Sequence, residues 1–430
     1  MDKKSIFNRK EHLTSLLFIF LIIGYSTNMQ AFTFFQDSEN YNAYKGKVVD
    51  VNSNKPLVSA TISVDQTNIS TVTNDEGAFL LKVPKSITNG TITVSYLGYR
   101  DKKINLSEYP NEELKIGLSL SVTELSEVNI DPRDPEALIR AVMSKKGENY
   151  LSDHTIMTAF YRETIKKRRK YVSLSEAVVD VYKNPYESRK TDILKLYKAR
   201  KSADYKKLDT LAVKLQGGPT STLYIDLMKN PENVFTQDML GFYQFSFDKS
   251  TKIHDRYIYV LNFKQRPTIP EPLYHGKLYI DAGTLALTKA VFSLNTEDKN
   301  EVSKMFVKKK PTNAKVYITQ ARYDIDYRQK DGKWYYGYGR IDLAVKINWK
   351  KKLFNSNYKL NVEMAVTDWK KNVDNLTLKP KERLKSSVVL SDQASGFSDP
   401  KFWGEYNVIE PEKSIESAIK KIQKQLRKLN

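Results

Sequence analysis

Gly46-Lys-Val-Val-Asp50, then Pro56-Leu-Val-Ser-Ala-Thr-Ile62, then Thr71-Val-Thr-Asn-Asp-Glu-Gly-Ala-Phe-Leu-Leu-Lys-Val-Pro84 and Val94-Ser-Tyr-Leu-Gly-Tyr99 form the stretch that decides the fold. Ile62 and Val64, then Phe79, Leu81 and Val83, then Ile92, Val94 and Tyr96 recur at every second position, the spacing at which a strand turns one face toward a core. Asp75-Glu76-Gly77 between them has the carboxylate and the glycine of a tight turn, since glycine takes positive φ without steric cost. Short alternating strands divided by turns predict a small β-sandwich over residues 44–130, closed by strands at Lys102–Leu106, Leu114–Leu118 and Ser126–Ile130.

Toward the N-terminus the sequence changes character. Lys3, Lys4, Arg9 and Lys10 precede an apolar run from Leu13 to Ile23, of signal-peptide length and short of a membrane span. Residues 1–31 are predicted to be an export signal and 32–43 a polar tether. The chain carries a formal charge of +20 and no cysteine. The signal's four basic residues against Asp2 and Glu11 account for +2, leaving +18 on the exported part. That balance favours anionic partners, and in an exported protein these are phosphorylated lipids, lipopolysaccharide or acidic glycans rather than nucleic acid. Without cysteine there are no thiol nucleophiles, disulfides, thiolate metal sites or lipid-modified N-terminal Cys.

Toward the C-terminus, Asp131-Pro132-Arg133-Asp134-Pro135 interrupts the β pattern, and Asp134 with Pro135 suits a helix start. A helix to about Lys146, carrying Leu138, Val142 and Met143 on one stripe, is predicted to dock between the domains as part of a linker over 131–150. Over residues 151–410 the pattern is that of a larger antiparallel, curved β-sheet domain. It opens with a long hairpin, Ile156–Ile165 and Tyr171–Tyr182, and continues through Tyr257–Lys264, Tyr274–Asp281, Leu287–Asn295, Ala314–Arg328, Trp334–Asn348 and Tyr358–Asp368. Asp192–Lys207 and Thr222–Asn230 are expected to be partly helical. Residues 411–430 form an amphipathic helix with Ile415, Ile419, Ile422 and Leu426 on one face.

The wording of the first region resembles the carboxypeptidase-like regulatory domain, a transthyretin-like sandwich found in Bacteroidota envelope proteins. Ala159-Phe-Tyr-Arg-Glu163, Ser175-Glu-Ala-Val-Val-Asp-Val-Tyr182, Gly217-Gly-Pro219, Gly276-Lys-Leu-Tyr-Ile-Asp281 and Phe402-Trp-Gly-Glu-Tyr-Asn407 are similar to the segment that follows this domain in such proteins. Gly276 to Asn295 is also similar in rhythm to the curved sheets of periplasmic lipoprotein carriers. The resemblance implies a periplasmic location or the periplasmic face of the outer membrane, and an outer-membrane or periplasmic protein as partner. In metallopeptidases the sandwich is an accessory domain, so it implies no activity.

The residues argue against chemistry. A zinc peptidase needs three protein ligands and an open position, yet His12, His154, His254 and His275 sit in no His-x-x-Glu motif. No Gly-x-Ser-x-Gly elbow or Walker loop occurs, and one turn at Asp75-Glu76 offers too few oxygens for calcium. No catalytic, cofactor-binding or metal residues are assigned. If Ile165 pairs with Tyr171 in the first hairpin, Phe160 faces Glu176 and Arg162 faces Leu174, which makes Arg162 and Glu176 diagonal neighbours on an apolar surface. We read them as a structural ion pair fixing register. Lys166, Lys167, Arg168, Arg169 and Lys170, then Lys308, Lys309 and Lys310, then Lys350, Lys351 and Lys352 fall at strand ends and are candidate contacts to an anionic lipid surface. Trp334-Tyr335-Tyr336 and Tyr338 suit strand packing better than a sugar platform. The sequence thus predicts a mainly β, non-enzymatic envelope interaction or assembly module, with a periplasmic carrier of lipid or lipoprotein as the rival and a hydrolase as a disfavoured third reading.

Overall fold

The computed structural model describes residues 40–121, 134–203, 217–233, 236–253, 256–307, 312–350, 355–390, 394–396 and 402–427. The expected signal, the tether up to residue 39, the strand at 126–130, Lys308–Lys310 and Lys351–Lys352 lie outside them. Strands β1 (Tyr41–Asp50), β2 (Thr61–Val64), β3 (Ser70–Val72), β4 (Ala78–Pro84), β5 (Thr91–Ser95), β6 (Lys102–Asn105) and β7 (Leu114–Leu118) form two facing sheets, ordered β4-β1-β7 and β3-β2-β5-β6. β1 starts before the expected boundary at 44, because Tyr41–Ala43 continue the ladder opposite Pro84–Lys82. Ile62, Val64, Phe79, Leu81, Val83, Ile92 and Val94 meet in one core. Gly77 turns at φ +78°, where a Cβ would stand 2.5 Å from the Val48 carbonyl oxygen.

Helix α1 (Pro135–Ser144) begins as expected, with the Asp134 carboxylate accepting from the Glu136 N–H at 2.9 Å. It does not lie between domains: Leu138, Ile139 and Val142 enter the core of the larger sheet, followed by α2 (Lys146–Asn149). That sheet contains β8 (Thr155–Lys167), β9 (Lys170–Lys183), β10 (Ile193–Ala203), β11 (Tyr243–Ile253), β12 (Arg256–Gln265), β13 (Tyr274–Asp281), β14 (Leu287–Leu294), β15 (Ala314–Lys330), β16 (Lys333–Trp349), β17 (Ser356–Lys371) and the two-residue β18 (Ser395–Gly396). Its order is β11-β12-β13-β14-β15-β16-β17-β8-β9-β10-β18, antiparallel except where β18 joins. The segment expected to be partly helical from Asp192 contains strand β10, because the open edge of β9 offers it a full ladder. Of Thr222–Asn230 only the start is helical, in α3 (Pro219–Tyr224). Further α-helices among the described residues are α4 (Gln237–Leu240), α5 (Lys299–Phe306) and α6 (Lys413–Arg427), the last packing Ile415 on Leu174.

The β8–β9 register differs from the expected one. Ile165 faces Ser173 rather than Tyr171, because the tip is a two-residue turn at Arg168-Arg169 with a bulge at Ile165/Lys166. Arg162 therefore lies directly opposite Glu176 rather than opposite Leu174, and Phe160 faces Val178. The same row continues across the sheet. Arg200 of β10, Glu176 of β9, Arg162 of β8, Glu363 of β17, Arg340 of β16 and Asp324 of β15 stand opposite one another in turn, alternating in charge over six strands. Arg162 Nε donates to Glu176 Oε1 at 2.7 Å, and its Nη1 is 3.5 Å from Glu363 Oε1. Arg200 Nε donates to Glu176 Oε2 at 2.8 Å. Arg340 is held by Asp75 of the sandwich at 2.7 Å and by Asp342 at 3.0 Å. Burial pushes the Glu363 carboxyl up, opposed by Arg162 and Arg340.

Over this charged row lies the segment 402–412, with the sandwich above it. Arg162 Nη2 donates to the Ile409 carbonyl at 2.6 Å. Trp403 packs edge-on against Phe160 at 5.5 Å, and the Arg200 guanidinium stacks on its ring at 4.8 Å. From the sandwich, Thr71 and Asn74 donate to the carbonyls of Val408 and Glu410, while Asn407 exchanges two hydrogen bonds with the backbone of Lys82. Ser70 and Asn68 donate directly to the β17 carbonyls of Val366 and Trp369. Residues 41–430 accordingly form one compact unit.

Two substitutions test this account. Arg162→Met leaves Glu176 and Glu363 buried without their shared cation and should cost about 3–5 kcal/mol. Burial already raises the Glu363 pKa and losing Arg162 raises it further, so stability is retained at acid pH and lost as pH rises through the raised value. Thermal unfolding should show a smaller deficit at pH ~5 than at pH ~8; an equal deficit contradicts the charge argument. At Gly276 a Cβ would stand 2.2 Å from the Val291 carbonyl oxygen, whereas at Gly241 it would meet nothing. Gly276→Ala should destabilise by roughly 1–3 kcal/mol and Gly241→Ala by much less, a difference that denaturant melts resolve.

Candidate functional site

The β8–β9 turn projects from one end of the large sheet. Lys166 and Lys167 fold back, their ammonium groups 4.2 Å and 5.4 Å from the ring centroids of Tyr171 and Tyr358. Arg168, Arg169 and Lys170 are exposed. Lys350 stands at the same end: Lys167 pairs with Tyr358 at the start of β17, and the Lys350 N–H donates to Asn313 just ahead of β15. Arg168 has φ +56°, a turn conformation that Gly or Asn adopts at less cost. Arg162 and Glu176 lie in the interior of the sheet, each about 1% exposed or less, and take no part in this surface.

A second feature went unrecognised in the sequence. Between the sandwich and the large sheet is an open cleft of about 800 Å³. One wall is the outward face of β2 and β5, where Thr61 pairs with Ser95 and Ser63 with Thr93, a patch of four hydroxyls. The other wall comes from β14 to β16, with Lys289, Asp326, Arg328 and Tyr335. Lys289 is paired with Asp324 at 2.8 Å. Arg328 donates through Nη1 to the Val366 carbonyl at 2.8 Å and to Ser70, and makes no ion pair with any described residue. Burial lowers its pKa. A bulge at Gly337 makes room for it, since a Cβ there would meet Arg328 Cγ at 2.6 Å. The available signal was the alternation along β15, with Tyr323, Ile325 and Tyr327 inward and Asp324, Asp326 and Arg328 on the opposite face.

Two further polar groups are internally answered. A smaller cavity of about 310 Å³ over the charged row mixes Arg162, Arg340 and Lys359 with Asp342, Glu363 and Glu412. On the other face of the sheet, Lys183 Nζ lies 2.7 Å from both Asp192 and Asp226, and Tyr327 donates to Asp226 at 2.8 Å. Lys229 beside them donates to the carbonyls of Pro185 and Ser188, and burial pulls its pKa down to about 8. This nest ties the segments around Asp192 and Asp226 to β9 and β15. Asp75 is bound to Arg340, and Trp334, Tyr335, Tyr336 and Tyr338 are all buried. Among the described residues no group of three or more His, Cys, Asp or Glu is placed to hold a metal ion, and no helix is long and apolar enough to cross a membrane.

Among solved structures the chain is similar to a DUF1329 family protein from Desulfovibrio piger, with 13% identity over 57% of this chain and 95% of that one and a TM-score of 0.24. It is similar also to an outer-membrane lipoprotein-sorting protein domain from Vibrio parahaemolyticus, with 10% identity over 58% and 96% and a TM-score of 0.25. A LolA superfamily protein from Nitrosomonas europaea matches with 12% identity over 58% and 99% and a TM-score of 0.19. No curated protein matches. The family model of the CarboxypepD_reg-like domain matches residues 44–130, and that part of the chain is a CarboxypepD_reg-like domain.

Proposed function

We propose that this chain is a non-enzymatic, exported interaction module of the cell envelope that seats its basic sheet end on an anionic lipid surface. The observation that carries the reading is the projecting turn with Arg168, Arg169 and Lys170 exposed together, joined by Lys350 at the same sheet end. Cations near a lipid surface contribute about 1 kcal/mol each, and charge concentrated on one rim adds where scattered charge does not. The left-handed backbone at Arg168 supports the reading, because a charged side chain occupies a turn position that Gly would serve at less conformational cost. The clamp between sandwich, segment 402–412 and sheet suits a rigid scaffold that holds one surface in a fixed orientation while another meets a partner protein.

Vesicle co-sedimentation tests it. The full chain should pellet with vesicles containing phosphatidylglycerol, stay in solution with pure phosphatidylcholine, and be released by high salt. The triple variant Arg168→Asn, Arg169→Ser, Lys170→Ser keeps a residue suited to the positive φ and should bind about a hundredfold more weakly at low salt. Equal pelleting with neutral vesicles, or undiminished binding by the folded triple variant, overturns the reading.

A further inference from the structure

We propose that the cleft between the sandwich and the large sheet binds an acidic saccharide, with its carboxylate near Arg328 and its hydroxyls against the Thr61, Ser63, Thr93 and Ser95 face. This site is separate from the basic sheet end, and its test does not depend on the lipid-surface reading. Three observations carry it. First, at about 800 Å³ the cleft falls within the range of small-ligand sites. Its wall departs from the usual apolar lining: eight of the side chains around it are Ser or Thr. A hydroxyl both gives and takes a hydrogen bond, as sugar hydroxyls do, so such a wall is complementary to a polyol rather than to an acyl chain.

Second, six Lys or Arg side chains line the cleft against three Asp. Lys103 is spoken for by Asp65, Lys289 by Asp324 and Arg256 by Asp281. Arg328 makes no ion pair with any described residue: its Nη1 donates to Ser70 and the Val366 carbonyl, and the Tyr335 hydroxyl lies against its guanidinium, all neutral groups. A half-buried guanidinium that meets only neutral groups keeps its charge unanswered, and an anionic group brought to the cleft would pair with it. Third, the site is built. Gly337 vacates the space Arg328 occupies, and Ser70 and Val366, one from each wall, hold it in place. Arg100 and Lys330, which also line the cleft, bring two more cations toward a ligand.

The test is calorimetric titration of the full chain with a glucuronate-containing disaccharide, its neutral glucose counterpart and inorganic phosphate. The acidic disaccharide should bind one to one, more weakly as salt is raised, and at least about tenfold more tightly than the neutral one. Arg328→Gln should lose that preference, Arg328→Lys should restore most of it, and Lys330→Gln, at the cleft margin, should weaken binding with the fold intact. No binding of the acidic disaccharide to the native chain overturns the proposal, as does an affinity that Lys330→Gln and Arg328→Gln both leave unchanged. Phosphate binding as tightly as the disaccharide also overturns it, since the cleft would then hold a small anion and not a sugar.

Discussion

The row of alternating charges from Arg200 through Glu176, Arg162, Glu363 and Arg340 to Asp324 is the constraint on which the rest of the structure depends. Buried ion pairs add little net stability over an apolar core of the same shape, because desolvation offsets most of the attraction. They do penalise error. A strand that slips by one residue turns every side chain to the other face, and here it would also strand a carboxylate or a guanidinium away from water. Four strands, β10, β9, β8 and β17, are thereby held to one alignment by direct contacts along a single line of side chains, which Arg340 and Asp324 continue in register. The same line presents hydrogen-bonding groups upward, and these fix segment 402–412 through Ile409 and the sandwich through Asp75.

This arrangement explains why the sandwich does not behave as a bead on a linker. It contacts the sheet through buried polar bonds as well as through the small apolar cluster of Val72, Phe160, Val178, Trp403 and Val408. A rigid seam has a functional corollary. Where the apposed faces are apolar they close, and where both are polar, at the hydroxyl face of β2 and β5 opposite β14 to β16, they stay apart and leave a cleft. Surfaces at the basic sheet end and at the seam are then held at a fixed separation.

Much of this was legible in the residues. Period-two alternation located the sandwich core and eight of the eleven strands of the large sheet, missing β10, β11 and β18, and Asp134-Pro135 marked the α1 start, because these signals are local. Arg162 and Glu176 were legible as a pair, but not as direct neighbours, since the bulge at Ile165/Lys166 is one extra residue that no pattern announces. The rest of the row needs the mutual register of β15, β16 and β17, which pairing over long sequence distances decides. β10 was misread because Lys195, Lys198, Arg200 and Lys201 mask its apolar positions. The cleft escaped notice for a different reason. Thr61, Ser63, Thr93 and Ser95 read as solvent-facing positions of their own strands, and only the placement of the sandwich on the sheet turns them toward Arg328. Trp403 and Asn407 were singled out by resemblance, whereas their role as a layer between sandwich and sheet required the three-dimensional arrangement.

The central claim is that this fold is a filled scaffold acting through its surfaces, not a container for lipid. Native mass spectrometry of the chain recovered from a Gram-negative periplasm addresses it most directly. The account predicts no lipid-sized adduct on the protein. A reproducible lipid-sized mass that is lost on unfolding would contradict it and establish the carrier in its place.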